Sequence, residues 1–241
     1  MSQEHTDYPT NMPYDPQAQG QAATKAVETR RKQRSRAREL IETLVLTALI
    51  FFAVRGVVQS FRVEGESMLP SLQSEELLMV NKAVYWHTDE DSPLAFLAQT
   101  DFGGSERFVL HPPQHGDVIV FHAPRDPGKD YIKRVIGVPG DFIEIREGRV
   151  WRNGQQLHEP YLDAANRAES GYPGQREQWT VPTDNLFVLG DNRLGSSDSR
   201  TWGFVPYDNV VGKAVFTYWP VGELGAVPGS LLPPLLGRLA R

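Results

Sequence analysis

Tyr131-Ile132-Lys133-Arg134-Val135-Ile136-Gly137-Val138-Pro139-Gly140-Asp141 sets a lysine inside a run of branched and aromatic residues that ends at Pro-Gly. A run of this composition, bounded by Gly and Pro, reads as a β-strand. Runs of the same kind lie on both sides of it, at Phe61 to Glu64, Leu77 to Val80, Val118 to His122, Phe142 to Arg146, Val150 to Asn153, Leu186 to Leu189 and Val210 to Trp219. Arg152-Asn153-Gly154-Gln155 predicts a hairpin turn, because Asn-Gly tolerates the positive φ angles that two-residue turns need. No alternation of strands with helical periods follows residue 60, which argues against a parallel α/β sheet. The expected fold is mainly β, an antiparallel sheet, with 142–184 forming a smaller β subdomain or insertion. Segments 86–113 and 158–184 show no periodicity and read as insertions or long loops.

The lysine also carries chemical information. A charged ammonium has no lone pair to offer as a base, and an ordinary lysine is charged up to about pH 10.4. Burial among apolar neighbours disfavours the charged form and lowers the pKa by up to several units. Ile132 and Val135 surround Lys133 with that kind of environment. A second segment, Gly65-Glu66-Ser67-Met68-Leu69-Pro70, supplies a serine whose hydroxyl needs such a base to become a nucleophile. Together they predict a Ser/Lys hydrolase.

Composition narrows the rest. The chain has 241 residues, enough for one sizeable domain with appendages, and no cysteine, which excludes thiolate catalysis, Cys-type zinc sites and disulfides. A formal charge of -5 gives no reason to expect nucleic acid as a partner. Residues 1–24 are rich in Gln, Pro, Thr and Asn and are expected to be disordered. Arg30, Arg31, Lys32, Arg34, Arg36 and Arg38 follow, and then an apolar stretch from Leu40 to Val58. As a helix, a stretch of that length spans about 29 Å, close to a bilayer's hydrocarbon thickness. The basic cluster predicts that 1–39 is a cytoplasmic tail, 40–58 a transmembrane anchor and everything beyond it extracytoplasmic. No small-x-small site follows the apolar stretch, so an anchor is expected and not a cleaved leader.

A third segment, Gly190-Asp191-Asn192-Arg193-Leu194-Gly195-Ser196-Ser197-Asp198-Ser199-Arg200, completes a pattern. The serine segment, His115-Gly116-Asp117-Val118-Ile119-Val120-Phe121, the lysine segment and this one follow the order found in bacterial type I signal peptidases. The chain resembles that family from the anchor to about Pro220. The resemblance implies a serine protease domain over 59–220 with an undefined tail at 221–241. It also implies that Ser67 is the nucleophile, Lys133 the general base, and Ser196 a hydroxyl beside the lysine amine, with Ser197 as its rival. Asp198 with Arg200, and Asp191 with Arg200, resemble ion pairs that brace the loop. The activity implied is endoproteolytic removal of N-terminal signal peptides from exported preproteins after Ala-x-Ala-like sites, at a phospholipid membrane, without metal or other cofactor.

The chain departs from the family pattern at Gly65, where some members carry a hydroxyl that helps hold the oxyanion. The backbone N–H of Ser67 is then left with more of that work. Leu194-Gly195 stands in place of a common Asp-Asn, and His115 where Arg is frequent. A histidine base, His115 or His122, is the competing catalytic reading, though no Gly-x-Ser-x-Gly elbow accompanies the serine. From another class, a catalytically silent, membrane-tethered binding module of the same fold is the alternative.

Overall fold

The structure, a computed structural model, describes residues 38–52, 54–89, 100–101, 106–108, 110–168 and 177–229. The expectations for the N-terminal tail up to residue 37 and for residues 230–241 lie outside the described residues. Two units divide the chain, Met1–Ala53 and Val54–Arg241. Helix α1 (Arg38–Val57) is the one described helix long and apolar enough to cross a membrane. Its first polar groups are satisfied within the helix. Arg38 Nε meets Glu42 at 2.7 Å, and the Thr43 and Thr47 hydroxyls each donate to the carbonyl four residues back at 2.8 Å. Such internal pairing is what a helix in an apolar medium requires.

The larger unit is built on one antiparallel sheet of eight strands. Its order is β1 (Val58–Arg62), β2 (Leu77–Asn81), β14 (Val210–Trp219), β6 (Val118–Ala123), β7 (Asp126–Gly137), β12 (Asn185–Leu189) and β13 (Val205–Pro206), with β15 (Gly225–Ala226) added beside β14. Alternation along β6 explains why it reads as an unbroken apolar run. Val118 and Val120 enter one cluster with Val63, Met68, Leu72 and Val80, while Ile119 and Phe121 enter another with Val135, Leu186 and Val188. A strand buried on both faces has no polar side to show.

A second sheet joins β10 (Gln155–Gln156), β9 (Arg149–Arg152), β8 (Phe142–Arg146) and β11 (Glu177–Thr180). It packs on the first through Ile136, Ile143, Ile145, Val181, Phe187 and Leu189. The β9–β10 turn has Asn153 at φ 51 and Gly154 at φ 81, the left-handed pair expected of Asn-Gly. A three-stranded sheet, β3 (His87–Asp89), β5 (Glu106–Phe108) and β4 (Thr100–Asp101), occupies part of the segment read as a loop at 86–113. The 158–184 segment likewise carries α2 (Ala164–Ala168) and β11. These elements are two to five residues long, too short to express a period in sequence.

Among the described residues, two of the open strand edges of the main sheet belong to β1 and to the first part of β7. β1 pairs only with β2, and β12 reaches β7 only at Arg134, Val135 and Gly137. Residues Asp126–Lys133 of β7 therefore pair with β6 alone.

Candidate active site

Ser67 lies in the loop from β1 to β2, and its neighbour Met68 ties that loop to the core. Met68 is 1% exposed among Val63, Leu72 and Leu78, and the loop is closed at its base by Val63 N–H to Glu76 O at 2.8 Å and Glu75 N–H to Val63 O at 2.9 Å. Lys133 stands on β7 opposite Ile119. Its Nζ is 2.6 Å from Ser67 Oγ and donates to the Ile132 carbonyl at 2.9 Å. Lys133 is only 4% exposed, and that burial pushes its pKa down to about 8 against the opposing pull of Asp198 and Asp191. Close to half of the amine is then neutral in mildly alkaline solution.

The Gly190–Arg200 loop follows β12 and packs against the serine loop. Gly190 has no room for a side chain, since a Cβ there would collide with the Ser67 carbonyl and with Ser196 Oγ. Asp198 caps α3 (Ser199–Trp202), accepting from Arg200 N–H at 3.3 Å and from Gly190 N–H at 3.1 Å. Arg200 grips the same carboxylate with Nε at 2.7 Å and Nη2 at 2.8 Å, and Nη2 also reaches the Arg193 carbonyl at 2.8 Å.

Asp191 does not pair with Arg200, contrary to expectation. Arg200 is already spent on both oxygens of Asp198, and Asp191 is taken by Arg134, with Nε to Oδ1 at 2.9 Å and Nη2 to Oδ2 at 2.6 Å, both residues fully buried. Arg134 also donates to the carbonyls of Gly116 at 2.9 Å and Pro228 at 2.6 Å and stacks 3.9 Å from the Tyr161 ring. This planar fork, satisfied on every side, is what allows a guanidinium to be buried. Its immediate chain neighbour is Lys133.

Ser196 is close to the site but is not bonded to the lysine. Its Oγ is buried with no hydrogen-bond partner, and the Ile132 carbonyl is what fixes the Lys133 amine beside Ser67. Ser197, not Ser196, lines the adjoining cleft. The histidines proposed as rival bases are held by other carboxylates: His115 Nε2 lies 2.6 Å from Asp141 Oδ2, and His122 Nδ1 2.7 Å from Asp130 Oδ1. Among the described residues no group of His, Asp and Glu could hold a metal ion.

Sequence reasoning missed three braces. Arg193 is buried and paired with Glu159 at 2.5 Å, its N–H donates to Asn166 Oδ1 at 2.7 Å, and Arg134 holds Asp191. One signal was available for the last, since an arginine within a strand expected to be buried needs a carboxylate.

Beside Ser67 and Lys133 runs a cleft of about 680 Å³, lined by Phe61, Arg62, Val63 and Glu64 on one side and by Asp130, Tyr131 and Ile132 on the other. The first group is the end of β1 and the residues that follow it, and the second lies on the open edge of β7. Extended chain can pair with either edge.

Comparison with known proteins bears on this geometry. The family described as signal peptidase, peptidase S26, matches residues 37–219. Signal peptidase I of Leptolyngbya laminosa is 36% identical over 201 residues, covering 79% of this chain and 85% of its own length. Signal peptidase I of Bacillus caldolyticus is 39% identical over 172 residues, covering 68% of this chain and 81% of its own. Signal peptidase I U of Bacillus subtilis is 31% identical over 204 residues, covering 83% of this chain and 96% of its own. The match takes in α1, the serine loop, the lysine strand and the braced loop together, and with it the chain belongs to the peptidase S26 signal peptidase family as a serine endopeptidase.

Proposed function

We infer that the chain is a membrane-tethered endopeptidase that cuts signal peptides from exported preproteins after Ala-x-Ala-like sites, using Ser67 as nucleophile and Lys133 as base. The observation that carries this reading is the 2.6 Å approach of Lys133 Nζ to Ser67 Oγ, with a buried lysine whose pKa falls to about 8. A neutral amine facing a hydroxyl at that distance can accept its proton. Ser67 Oγ adds to the scissile carbonyl carbon as its proton passes to Nζ. The carbonyl oxygen takes the negative charge and faces the Ser67 N–H. Protonated Lys133 then gives its proton to the departing amine as the C–N bond breaks, leaving an ester on Ser67. A water, deprotonated by Lys133, attacks the ester, and the returning proton restores the serine.

Substrate enters as an extended strand between the Phe61–Glu64 and Asp130–Ile132 edges. Backbone pairing there supplies affinity that is indifferent to most side chains, as a processor of many preproteins needs. The anchor, with its basic cluster before it, holds the N-terminus in the cytoplasm and the 59–220 domain on the far side of the cell membrane, where preproteins emerge. Confinement to the same membrane raises the effective concentration of enzyme and substrate.

The test is cleavage of a preprotein with an Ala-x-Ala site by the full chain in detergent. Cleavage after the second Ala, abolished by both Ser67→Ala and Lys133→Ala, is the expected result. Activity that survives Lys133→Ala would transfer the role of base to another group.

A further inference from the structure

The peptide unit that joins Glu66 to Ser67 carries the candidate oxyanion donor, and a residue of the opposite loop holds its other end. The Ser67 N–H has no hydrogen-bond partner among the described residues and is left for a substrate oxygen. The Glu66 carbonyl accepts from Leu69 N–H at 3.2 Å and from Asn192 Nδ2 at 3.0 Å. A trans peptide is planar, and its N–H and C=O point in opposite directions. Whatever fixes the direction of Glu66 O therefore fixes the direction of the Ser67 N–H. Asn192 secures the next unit too, its backbone N–H donating to the Ser67 carbonyl at 3.1 Å.

The Asn192 side chain is itself held in one orientation. Its Oδ1 accepts from Gly195 N–H at 3.1 Å while its Nδ2 donates to Glu66 O, so each end of the amide meets the partner it needs. Gly195 makes this possible, because a Cβ there would lie 2.6 Å from Nδ2. On the other side of Glu66 the chain has Gly65, exposed, at φ +84 and with nothing within 4 Å of where its Cβ would be. No packing from that side limits the swing of the peptide.

We propose that Asn192 is a positioning residue for the oxyanion site, its side-chain amide holding Glu66 O so that the Ser67 N–H stays aimed at the scissile carbonyl oxygen. The proposal rests on the Ser67/Lys133 reading above. Asn192 touches no reacting atom. Its effect grows as charge develops on the substrate oxygen, so it belongs to kcat and not to KM. Removing an oxyanion donor outright costs about 100- to 1000-fold in kcat, and loosening one costs less.

The test compares the full chain with Asn192→Ala and Gly195→Ala in detergent, with an Ala-x-Ala peptide as substrate. Asn192→Ala removes the amide, and Gly195→Ala pushes it aside while leaving it present. In both, kcat is expected to fall about 10- to 100-fold, KM to stay within about twofold, and the acidic limb of kcat/KM to keep its position. A peptide aldehyde of the same sequence supplies the second readout. Ser67 Oγ adds to its carbonyl carbon, the hydroxyl proton goes to Lys133, and the oxygen becomes the charged group the N–H must hold. Aldehyde affinity is expected to fall in step with kcat, while affinity for the cleaved product peptide does not change. A shift of the acidic limb would show that the variants disturb the burial of Lys133 instead, and unchanged kcat or aldehyde affinity would equally overturn the proposal. Ser67→Ala in the same assay separates the two levels: full activity there would remove the nucleophile reading itself, and this inference with it.

Discussion

At the scale of single residues, the structure turns on a lysine whose burial weakens its hold on its proton. Burial lowers the Lys133 pKa from 10.5 to about 8, so in the folded state the proton is held less tightly than in the unfolded chain. The sign follows directly. Below about pH 8 the amine is charged in both states and folding has to bury that charge; between about 8 and 10.5 the unfolded chain binds more protons, and stability rises with pH. Lys133→Met removes the penalty. Its stability relative to wild type is expected to be greater by up to about 3 kcal/mol at pH 6 to 7, with the gain fading as pH passes from 8 to 10.5. Denaturant unfolding across that range checks it, and a gain that grew with pH would contradict it. Ser196 makes a second case. A buried hydroxyl with no partner is a cost, so Ser196→Ala is expected to leave the melting temperature unchanged or raise it. A loss of more than about 1 kcal/mol would mean that the hydroxyl has a partner in solution.

At the scale of elements, Arg134, the chain neighbour of Lys133, is held by a strap that follows the matched region of the chain. Val227 is 1% exposed beside Met68 and Leu72, its N–H donates to Val215 O at 3.2 Å, and Pro228 O accepts from Arg134. Gly229, at φ +84, sits where any Cβ would strike the Arg134 guanidinium. Val227→Ala is expected to cost about 2 kcal/mol, measured by chemical denaturation. A change under about 0.5 kcal/mol would show that the strap is not part of the core.

The strap also shows where the sequence stops being legible. The burial of Lys133 and the Asn153-Gly154 turn can be read locally, because an apolar run around a lysine or a turn dipeptide contains its own physical reason, whereas Ser67 stands out only through the order of the segments around it. Partners cannot be read that way. Arg134 and Asp191 lie 57 positions apart, and Arg134 and Pro228 lie 94 apart. The family resemblance suggested Arg200 for Asp191, and the fold gives Asp191 to Arg134, the buried arginine next to Lys133. Strand β11, Glu-Gln-Trp-Thr, has too few apolar residues to announce itself, and it forms because Trp179 packs on Phe187 across the two sheets at 4.9 Å between ring centres.

At the scale of the whole molecule, α1 differs in kind from the β-rich remainder. Leu44, Leu49, Phe52 and Val54 of α1 are exposed, and a 20-residue helix reaches about 30 Å, the thickness of a bilayer core. The chain is expected to stay in the membrane pellet after alkaline carbonate washing and to be released once residues 1–57 are deleted. Release of the full chain by the wash would show that α1 does not span. In the larger unit, the cleft is lined from β1 and β7, Ser67 comes from the β1–β2 loop and Lys133 from β7, so one sheet supplies every part the proposed mechanism uses.

The most direct test of the account is the pH dependence of kcat/KM for an Ala-x-Ala peptide, measured with the full chain in detergent with and without a metal chelator. The account predicts activity that rises with an apparent pKa of about 8, the value burial gives Lys133, is indifferent to the chelator and is absent in Lys133→Ala. An acidic limb near 6.5, the ordinary range of histidine, or inhibition by the chelator would contradict it.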